Sequence, residues 1–249
     1  MAGRDREPTE AASRFVAKSI HGATTEGIAA DFGSLIAVQE LAANVLARHD
    51  RLDVLVNNAG LITSRPTRSA EGFELTIAVN HLAPFLLTNL LLERLRQSAP
   101  ARVVTVSSGE HKRARLDPAT MTHPANWTPL SAYGSSKLAN IAFTFALSRR
   151  LDPAVVTVCC LHPRVAGTRL GHGAGGLSGV AWRLTRPFMP RPHKAAETAI
   201  FLSTIADPTP SHGTYVIDKA VSLPSPTARD EAFGEALWAE SARLVGLSR

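Results

Sequence analysis

The chain has 249 residues, 45% of them hydrophobic and 19% charged, which excludes a largely disordered protein and suits one α/β domain better than two. Its net charge of +6 comes from scattered arginines, since only five of its 27 basic residues are lysine. Without a basic run or interleaved aromatic residues, this charge gives no reason to expect a nucleic-acid partner. An anionic small cofactor or a GC-rich coding bias explains it more simply.

The amino-terminal residues 1–7 are charged and contain no hydrophobic region, so the sequence predicts no signal peptide. No apolar run reaches the ~18 residues that a membrane span needs. The two cysteines, Cys159 and Cys160, are adjacent in an apolar run, a spacing that fits neither a disulfide framework nor a metal site. We therefore expect a cytoplasmic protein without a membrane span or a bound metal.

Short apolar runs alternate with longer helical patterns along the chain. Runs rich in β-branched residues predict strands at 52–56, 103–106 and 155–161, and a weaker one at 213–217. Helical patterns lie at 34–49, 72–97, 132–150 and, closing the chain, 228–247. This alternation predicts a doubly wound α/β fold in which a parallel sheet carries helices on both faces. We expect a single domain over 1–249, with a mobile flap at the Gly-, Arg- and Pro-rich stretch 171–193.

Two asparagine positions precede the later motifs. Asn57-Asn58-Ala59-Gly60 ends the first long strand, where paired asparagines and a glycine allow a tight turn and close approach of a ligand, although a plain turn uses the same residues. Asn80 lies four residues before Pro84, which has no N–H to bond the Asn80 carbonyl. A water bound there would lead protons away from Lys137, while the alternative is a kinked core helix.

Hydroxyl and amine groups follow in the next strand and helix. Ser108 comes directly after the run 103–107, at the carboxyl end of a predicted parallel strand, where it would meet a ligand or act only as a turn serine. Tyr133 and Lys137 are four residues apart and therefore share a helix face, although this spacing also occurs by chance. An ammonium beside the phenol would lower its pKa and make it an acid–base group.

Together, Asn57-Asn58-Ala59-Gly60, Asn80, Ser108 and Tyr133-x-x-x-Lys137, in this order, resemble the short-chain dehydrogenase/reductase family. The likeness covers about residues 2–247 and is closer to the retinol-dehydrogenase-like and WW-domain-oxidoreductase-like branch. It implies a Rossmann-like fold that transfers a hydride between a nicotinamide cofactor and an alcohol or carbonyl.

The resemblance also implies a role for each catalytic position. Tyr133 would be the acid–base residue, and Lys137 would lower its pKa and bind the nicotinamide ribose. Ser108 would orient and polarise the substrate carbonyl, and Asn80 would hold a relay water.

Four further positions match the cofactor-binding pattern. Asn58 would line the adenosine ribose, Asp31 would contact the adenine, and Thr168 would bond the nicotinamide carboxamide. Arg4 lies where the family reads the adenosine 2′-position, and a guanidinium there pairs well with a phosphate, which favours NADP over NAD.

Two features depart from the family pattern. Arg164 follows Pro163 where the family usually has glycine. The residues after Met1 resemble the end of the family's second strand, so the first strand, the Gly-rich phosphate loop and the first helix would lie before it. We expect a misplaced start codon rather than a genuine short enzyme. Without that unit the sheet would lack a central strand and the cofactor would bind weakly.

Other interpretations stay open. The chain could be an impaired remnant or an interaction module of the same fold, unable to hold the cofactor, and a nucleic-acid binder is a weak third option. In the flap, Trp182, Phe188 and Met189 favour an apolar substrate, of which retinoids are one possibility. The reaction direction and the oligomeric state, including a homo-oligomer, are not determined by these residues.

Overall fold

The computed structural model describes residues 1–163 and 192–247, and their strands form two sheets. The smaller sheet pairs β1 (Ala2–Gly3) in parallel with β2 (Ile28–Ala29). The larger sheet contains, in spatial order, β3 (Val54–Asn57), β4 (Ala101–Val106), β5 (Val156–His162), β6 (Thr214–Ile217) and β7 (Ala220–Ser222). β3 to β6 run parallel, as the alternation of strands and helices predicts.

The helices connect and cover these strands. They are α1 (Arg6–Ser19), α2 (Leu35–Arg48), α3 (Leu75–Ile77), α4 (Ala83–Gln97), α5 (Pro129–Ser148), α6 (Pro192–Thr204), α7 (Pro226–Arg229) and α8 (Glu231–Leu244). Ser34 caps α2 by accepting from the Ala37 N–H, and Thr128 and Ser131 form a capping box at the start of α5. The helix predicted at 228–247 is two helices, because Asp230 ends α7 and caps α8.

Helices pack on both faces of the larger sheet. α4 and α5 cover one face, where Val103 and Val158 join the main hydrophobic core. α6 covers the other face, where Leu202 packs with Val104 and Cys159. Since neighbouring residues of a strand point to opposite faces, each of the pairs 103–104 and 158–159 contributes one side chain to each face of the sheet. The predicted doubly wound α/β architecture is confirmed.

The larger sheet differs from the prediction at one of its edges. β7 is antiparallel to β6, because Asp218 and Lys219 have φ values of 50° and 67° and turn the chain directly back on itself. Among the described residues no strand joins β1 to β3, and Val56 of β3 is 41% exposed. In the described residues β1 and β2 therefore form a sheet of their own, and β3 is an edge strand of the larger sheet.

The helical segment that carries Asn80 is continuous over Leu75–Gln97. Between α3 and α4, residues Ala78–Leu82 form a π-helical turn just before Pro84. The helix is thus irregular at the predicted position, and the bend itself stays a prediction. By length and composition this segment could cross a membrane, contrary to the expectation that no run is long enough. However, 78% of its most apolar window is buried inside the fold, and core helices of this kind pass the same test.

Candidate active site

The candidate residues converge where parallel strands end. Ser108 lies just after β4, Asn58 just after β3, and His162 is the last residue of β5. In open α/β sheets the carboxyl ends of the strands form the ligand crevice. α5 passes over this edge and brings Tyr133 and Lys137 to it.

Lys137 is almost completely buried, with 3% of its surface exposed. Its Nζ donates a hydrogen bond to the Val106 carbonyl at 3.0 Å and lies 5.5 Å from the centre of the Tyr133 ring. Burial lowers the pKa of Lys137 to about 8. The side chain is thus an ammonium held close to its titration range beside the Tyr133 ring.

Tyr133 is half-buried, and its pKa is raised above the usual value, first because of burial. Hydrogen bonding by the Ser108 side chain acts in the opposite direction, while the charge of Glu110 raises the pKa further. The net shift is therefore upward, and the lowering of the Tyr133 pKa by Lys137 stays a prediction. Burial outweighs every favourable interaction, and the group that stabilises the phenolate is Ser108.

The backbone around Ser108 is tied to α5 and to β5. The Ser107 hydroxyl donates to the Lys137 carbonyl at 2.7 Å, and the Ser107 N–H donates to the Leu161 carbonyl at 2.7 Å. Ser108 begins a short 3₁₀ helix, Gly109–Arg113, and its Oγ accepts from the Glu110 N–H at 3.4 Å. That long bond leaves the hydroxyl able to interact with Tyr133.

Asn80 is fully buried and holds the loop that follows β3. Its Oδ1 accepts from the Leu61 N–H at 2.8 Å, and its Nδ2 donates to the Leu61 carbonyl at 2.9 Å and to Ser136 Oγ at 3.0 Å. A β-carbon at Gly60 would lie 3.4 Å from Asn80 Oδ1 and 3.5 Å from Lys137 Nζ. Glycine at this position keeps the approach to both side chains open, and the relay-water role of Asn80 stays a prediction.

The two asparagines after β3 have different environments. Asn57 is buried, and its Nδ2 donates to Thr88 Oγ1 at 2.9 Å, so it ties β3 to α4. Asn58 is exposed at the mouth of the crevice, where the sequence predicts contact with the adenosine ribose.

A separate cavity of about 340 Å³ brings together two of the predicted cofactor residues. Arg4 and Asp31 both line it, next to Ala29 and Ala30 at the end of β2. Asp31 accepts from the Gly33 N–H at 2.8 Å through Oδ1. Arg4 is mostly exposed and pairs with Asp5, with 3.2 Å between Nε and Oδ1. A guanidinium and a carboxylate around one open cavity form a donor and acceptor set that fits an adenosine with its 2′-substituent.

A larger cavity, of about 380 Å³, lies on another side of α5. Ala132 and Ser135 line it together with loop residues that include Arg115 and Met121. Neither Tyr133 nor Ser108 borders it, so we do not assign the reaction to this cavity.

Comparison with known proteins identifies the group to which this arrangement belongs. A model of the short chain dehydrogenase family matches residues 1–175. The chain belongs to that family. Human retinol dehydrogenase 13 is 38% identical over 265 residues, an alignment that covers 99% of this chain and 76% of the human protein.

Solved structures support the same assignment. A crystal structure of an uncharacterised protein of Mycobacterium paratuberculosis covers 100% of this short-chain dehydrogenase and 84% of its own chain, with 29% identity and a TM-score of 0.74. The Pseudomonas aeruginosa RhlG/NADP active-site complex covers 94% of this chain and 85% of its own, with 26% identity and a TM-score of 0.65. The protein is therefore a nicotinamide-dependent oxidoreductase that acts on a small molecule.

Part of the predicted site lies outside the residues that the structure describes. Thr168 and Arg164 lie outside the described residues, as does the predicted flap at 171–193 except for its last two positions, which begin α6.

Sequence reasoning missed two histidines that hold the Ser108 loop. His111 Nδ1 hydrogen-bonds the Ser108 carbonyl at 2.6 Å, and His162 Nδ1 accepts from the Gly109 N–H at 3.1 Å. The position of His162 at the carboxyl end of a central strand was a usable signal. His111 gave a weaker one, since only its spacing of three residues from Ser108 on a tight turn points to the contact.

Proposed function

We propose that this short-chain dehydrogenase interconverts an apolar alcohol and its carbonyl compound, with NADP(H) preferred over NAD(H). The observation that carries the proposal is the convergence of Ser108, Tyr133 and Lys137 at the carboxyl ends of β4 and β5, with Asn80 behind them. A hydroxyl donor, a titratable phenol and a buried ammonium are the groups that a carbonyl reduction needs.

In the direction of reduction, the Tyr133 hydroxyl gives its proton to the substrate oxygen. Ser108 donates a hydrogen bond to the same oxygen and stabilises the negative charge that develops there. When bound, the nicotinamide ring supplies the hydride that adds to the carbonyl carbon. In the direction of oxidation the Tyr133 phenolate takes the alcohol proton instead.

Lys137 supplies the positive charge next to this exchange. With a pKa of about 8, it is mostly an ammonium at neutral pH and can donate to a ribose hydroxyl while it keeps its bond to the Val106 carbonyl. Asn80 fixes the loop at Leu61 and is proposed to hold the water that returns a proton to Tyr133.

The cofactor preference rests on Arg4. A guanidinium beside the adenosine 2′-position forms charge-assisted hydrogen bonds to a phosphate but gains little from a hydroxyl. Asp5 competes for Arg4 in this structure. Asp31 and Asn58 are proposed to contact the adenine and the ribose, and Thr168 the carboxamide.

Equilibrium binding of NADPH and NADH tests this preference. We expect Arg4→Ala to weaken NADPH binding about tenfold or more while NADH binding changes little, since one charge-assisted bond is worth ~1.5–3 kcal/mol. Asp5→Asn removes the competing carboxylate and should strengthen NADPH binding. The exposed Arg6 on α1 provides the control, because Arg6→Ala should change neither constant. Equal preference for the two cofactors in wild type and Arg4→Ala would exclude the role of Arg4.

The apolar substrate class rests on the relatives and on three residues of the predicted flap. The matched human protein is named a retinol dehydrogenase, and Trp182, Phe188 and Met189 are large apolar residues within 171–193. Turnover with NADPH is to be compared for all-trans-retinal, a medium-chain alkanal and a charged 2-oxo acid. We expect activity with the first two and none with the third. The reverse order would contradict the assignment.

A second candidate function is that of a non-catalytic module of the same fold. It is favoured by one observation, that in the described residues β1 and β2 form a sheet of their own and no described strand pairs this sheet with β3. Titration of NADPH separates the candidates, because a folded protein that does not bind the dinucleotide cannot transfer its hydride. We further propose a cytoplasmic location and leave homo-oligomer formation to be tested by sedimentation.

A further inference from the structure

Two histidines hold opposite ends of one peptide unit in the active site. The Ser108 carbonyl accepts a hydrogen bond from Nδ1 of His111 at 2.6 Å. The N–H of Gly109, which belongs to the same peptide unit, donates to Nδ1 of His162 at 3.1 Å. Because a peptide unit is planar, contacts at both of its ends fix its orientation. They thereby fix the direction in which the Ser108 side chain leaves the backbone.

The carboxyl-terminal part of the chain determines which nitrogen of His111 carries the proton. The Ser225 backbone N–H donates to His111 Nε2 at 3.1 Å, so that nitrogen is unprotonated. The hydrogen must then lie on Nδ1, where the Ser108 carbonyl accepts it. His162 accepts at Nδ1 and therefore carries its proton on Nε2. The two rings therefore have opposite tautomers: His111 donates from Nδ1, and His162 accepts at Nδ1.

Packing keeps both rings in place. His111 is fully buried, and the Tyr215 ring lies edge-on against it with 5.1 Å between the ring centres. His162 is half-buried, and a β-carbon at Gly109 would lie 3.7 Å from its Nε2, so its ring covers that glycine. Ser225 is itself fixed as the N-cap of α7, where its Oγ accepts from the Ala228 N–H.

Both rings must also be neutral. A second proton on His111 would face the Ser225 N–H, and one on His162 would face the Gly109 N–H. Burial lowers the pKa of both histidines below 6.5. The nearby charges act as follows: Lys112 lowers both values, His111 lowers that of His162, and Asp218 and Glu110 raise that of His162.

We propose that His111 and His162 are positioning residues that clamp the Ser108–Gly109 peptide and so hold the Ser108 hydroxyl next to Tyr133. Ser225 makes the segment before α7 part of this clamp, because it selects the active tautomer of His111. The proposal rests on the proposed function of Ser108 as the donor to the substrate oxygen. Neither histidine is assigned contact with the substrate or the cofactor.

Matched substitutions separate clamping from packing. In His111→Asn the side-chain amide can still donate to the Ser108 carbonyl, and in His162→Asn the side-chain oxygen can still accept from Gly109. The leucine variants His111→Leu and His162→Leu keep a side chain of similar size but cannot form the hydrogen bond to the Ser108–Gly109 peptide. We expect each leucine variant to lower kcat about tenfold or more, but by no more than Ser108→Ala, for which ~10²–10³-fold is typical. Each asparagine variant should recover part of this loss, and cofactor binding should not change.

A double-mutant cycle shows whether the histidines act through Ser108. In a Ser108→Ala background, His111→Leu and His162→Leu should cost no further kcat, because the group that they position is absent. The exposed His21 gives the control, since His21→Leu should leave kcat unchanged in both backgrounds. An equal loss of kcat with and without Ser108, or leucine variants as active as wild type, would overturn the proposal.

Imidazole nitrogen NMR on the full chain tests the clamp without turnover. Between about pH 6.5 and pH 8, where both rings are expected to be neutral, His111 should show its proton on Nδ1 and His162 on Nε2. A proton on Nε2 of His111 would overturn the proposal even if the leucine variants fail to fold. If the wild type binds no NADPH and reduces no carbonyl, the proposed function is wrong. The tautomers then still decide whether the clamp exists.

Discussion

Replacing Lys137 with methionine should abolish activity but stabilise the protein at neutral pH. Methionine has nearly the same length and no charge, so it fits the buried space that the lysine stem occupies. Lys137 is 3% exposed, and its ammonium has the Val106 carbonyl as a hydrogen-bond acceptor at 3.0 Å. A charge buried in this way is a cost to folding, and the proposed role of Lys137 in the active site explains why it is kept.

The magnitude follows from the pKa. The pKa of Lys137 falls from 10.5 to about 8 on folding. This shift corresponds to a loss of about 3 kcal/mol in the free energy of unfolding at neutral pH, since each tenfold change in proton binding is about 1.4 kcal/mol. Loss of the bond to Val106 offsets about 1 kcal/mol of this. Asn140 Nδ2 still donates to the same carbonyl at 3.4 Å. We therefore expect Lys137→Met to raise the free energy of unfolding by about 2 kcal/mol near pH 7.

The pH dependence distinguishes this explanation from simple repacking. Between pH 8 and 10.5 the unfolded lysine binds more protons than the folded one, so wild-type stability rises with pH in this range. The stability of the methionine variant does not rise in this way, so its higher free energy of unfolding relative to wild type should disappear by about pH 9.5. Urea unfolding without added cofactor measures both values, with the exposed Lys194→Met as the control. A variant less stable than wild type near pH 7, or an advantage that does not change with pH, would refute the reasoning.

Three further predictions concern other parts of the site and core. Tyr133→Phe should lower kcat ~10²–10⁴-fold with little change in NADPH affinity, measured by steady-state kinetics and cofactor fluorescence. Burial lowers the pKa of His81 from 6.5 to about 4, so its contribution of about 3 kcal/mol, present above pH 6.5, should be lost as the pH falls to about 4. His81→Gln can still bond Ser241 Oγ. Between those two pH values its free energy of unfolding, measured with urea, should fall less than that of wild type. Burial also raises the pKa of the Cys159 thiol to about 12 and raises that of Cys160 well above its usual value, so neither should react with a thiol reagent until urea unfolds the protein. Rapid labelling of native protein would contradict this.

The site residues could be predicted because each follows a local signal. Tyr133 and Lys137 share a helix face, Ser108 ends an apolar strand, and Asn80 precedes the proline that disturbs its helix. Such signals depend on residues a few positions apart, so they can be recognised in a single sequence. The parallel sheet from β3 to β6 could be predicted for the same reason, since each strand is a short, continuous apolar run.

What could not be predicted depends on contacts between distant segments. The pKa of Tyr133 is raised because the fold buries the phenol, whereas the helix spacing considered only the neighbouring lysine. The hairpin between β6 and β7 uses positive φ at Asp218 and Lys219, neither of which is glycine, so the usual turn signal was missing. The contact of His111 with Ser225 joins positions 114 residues apart, and no local pattern indicates it.

The most direct test of the account follows deuterium from the cofactor to the product. Wild-type protein is incubated with NADPH deuterated at the transferring carbon and with all-trans-retinal or a medium-chain alkanal, and the alcohol is analysed by mass spectrometry. The account predicts deuterium on the carbinol carbon in wild type, and a large loss of labelled product in folded Tyr133→Phe that still binds NADPH. Unlabelled alcohol, or an equal yield of labelled alcohol from Tyr133→Phe, would contradict it.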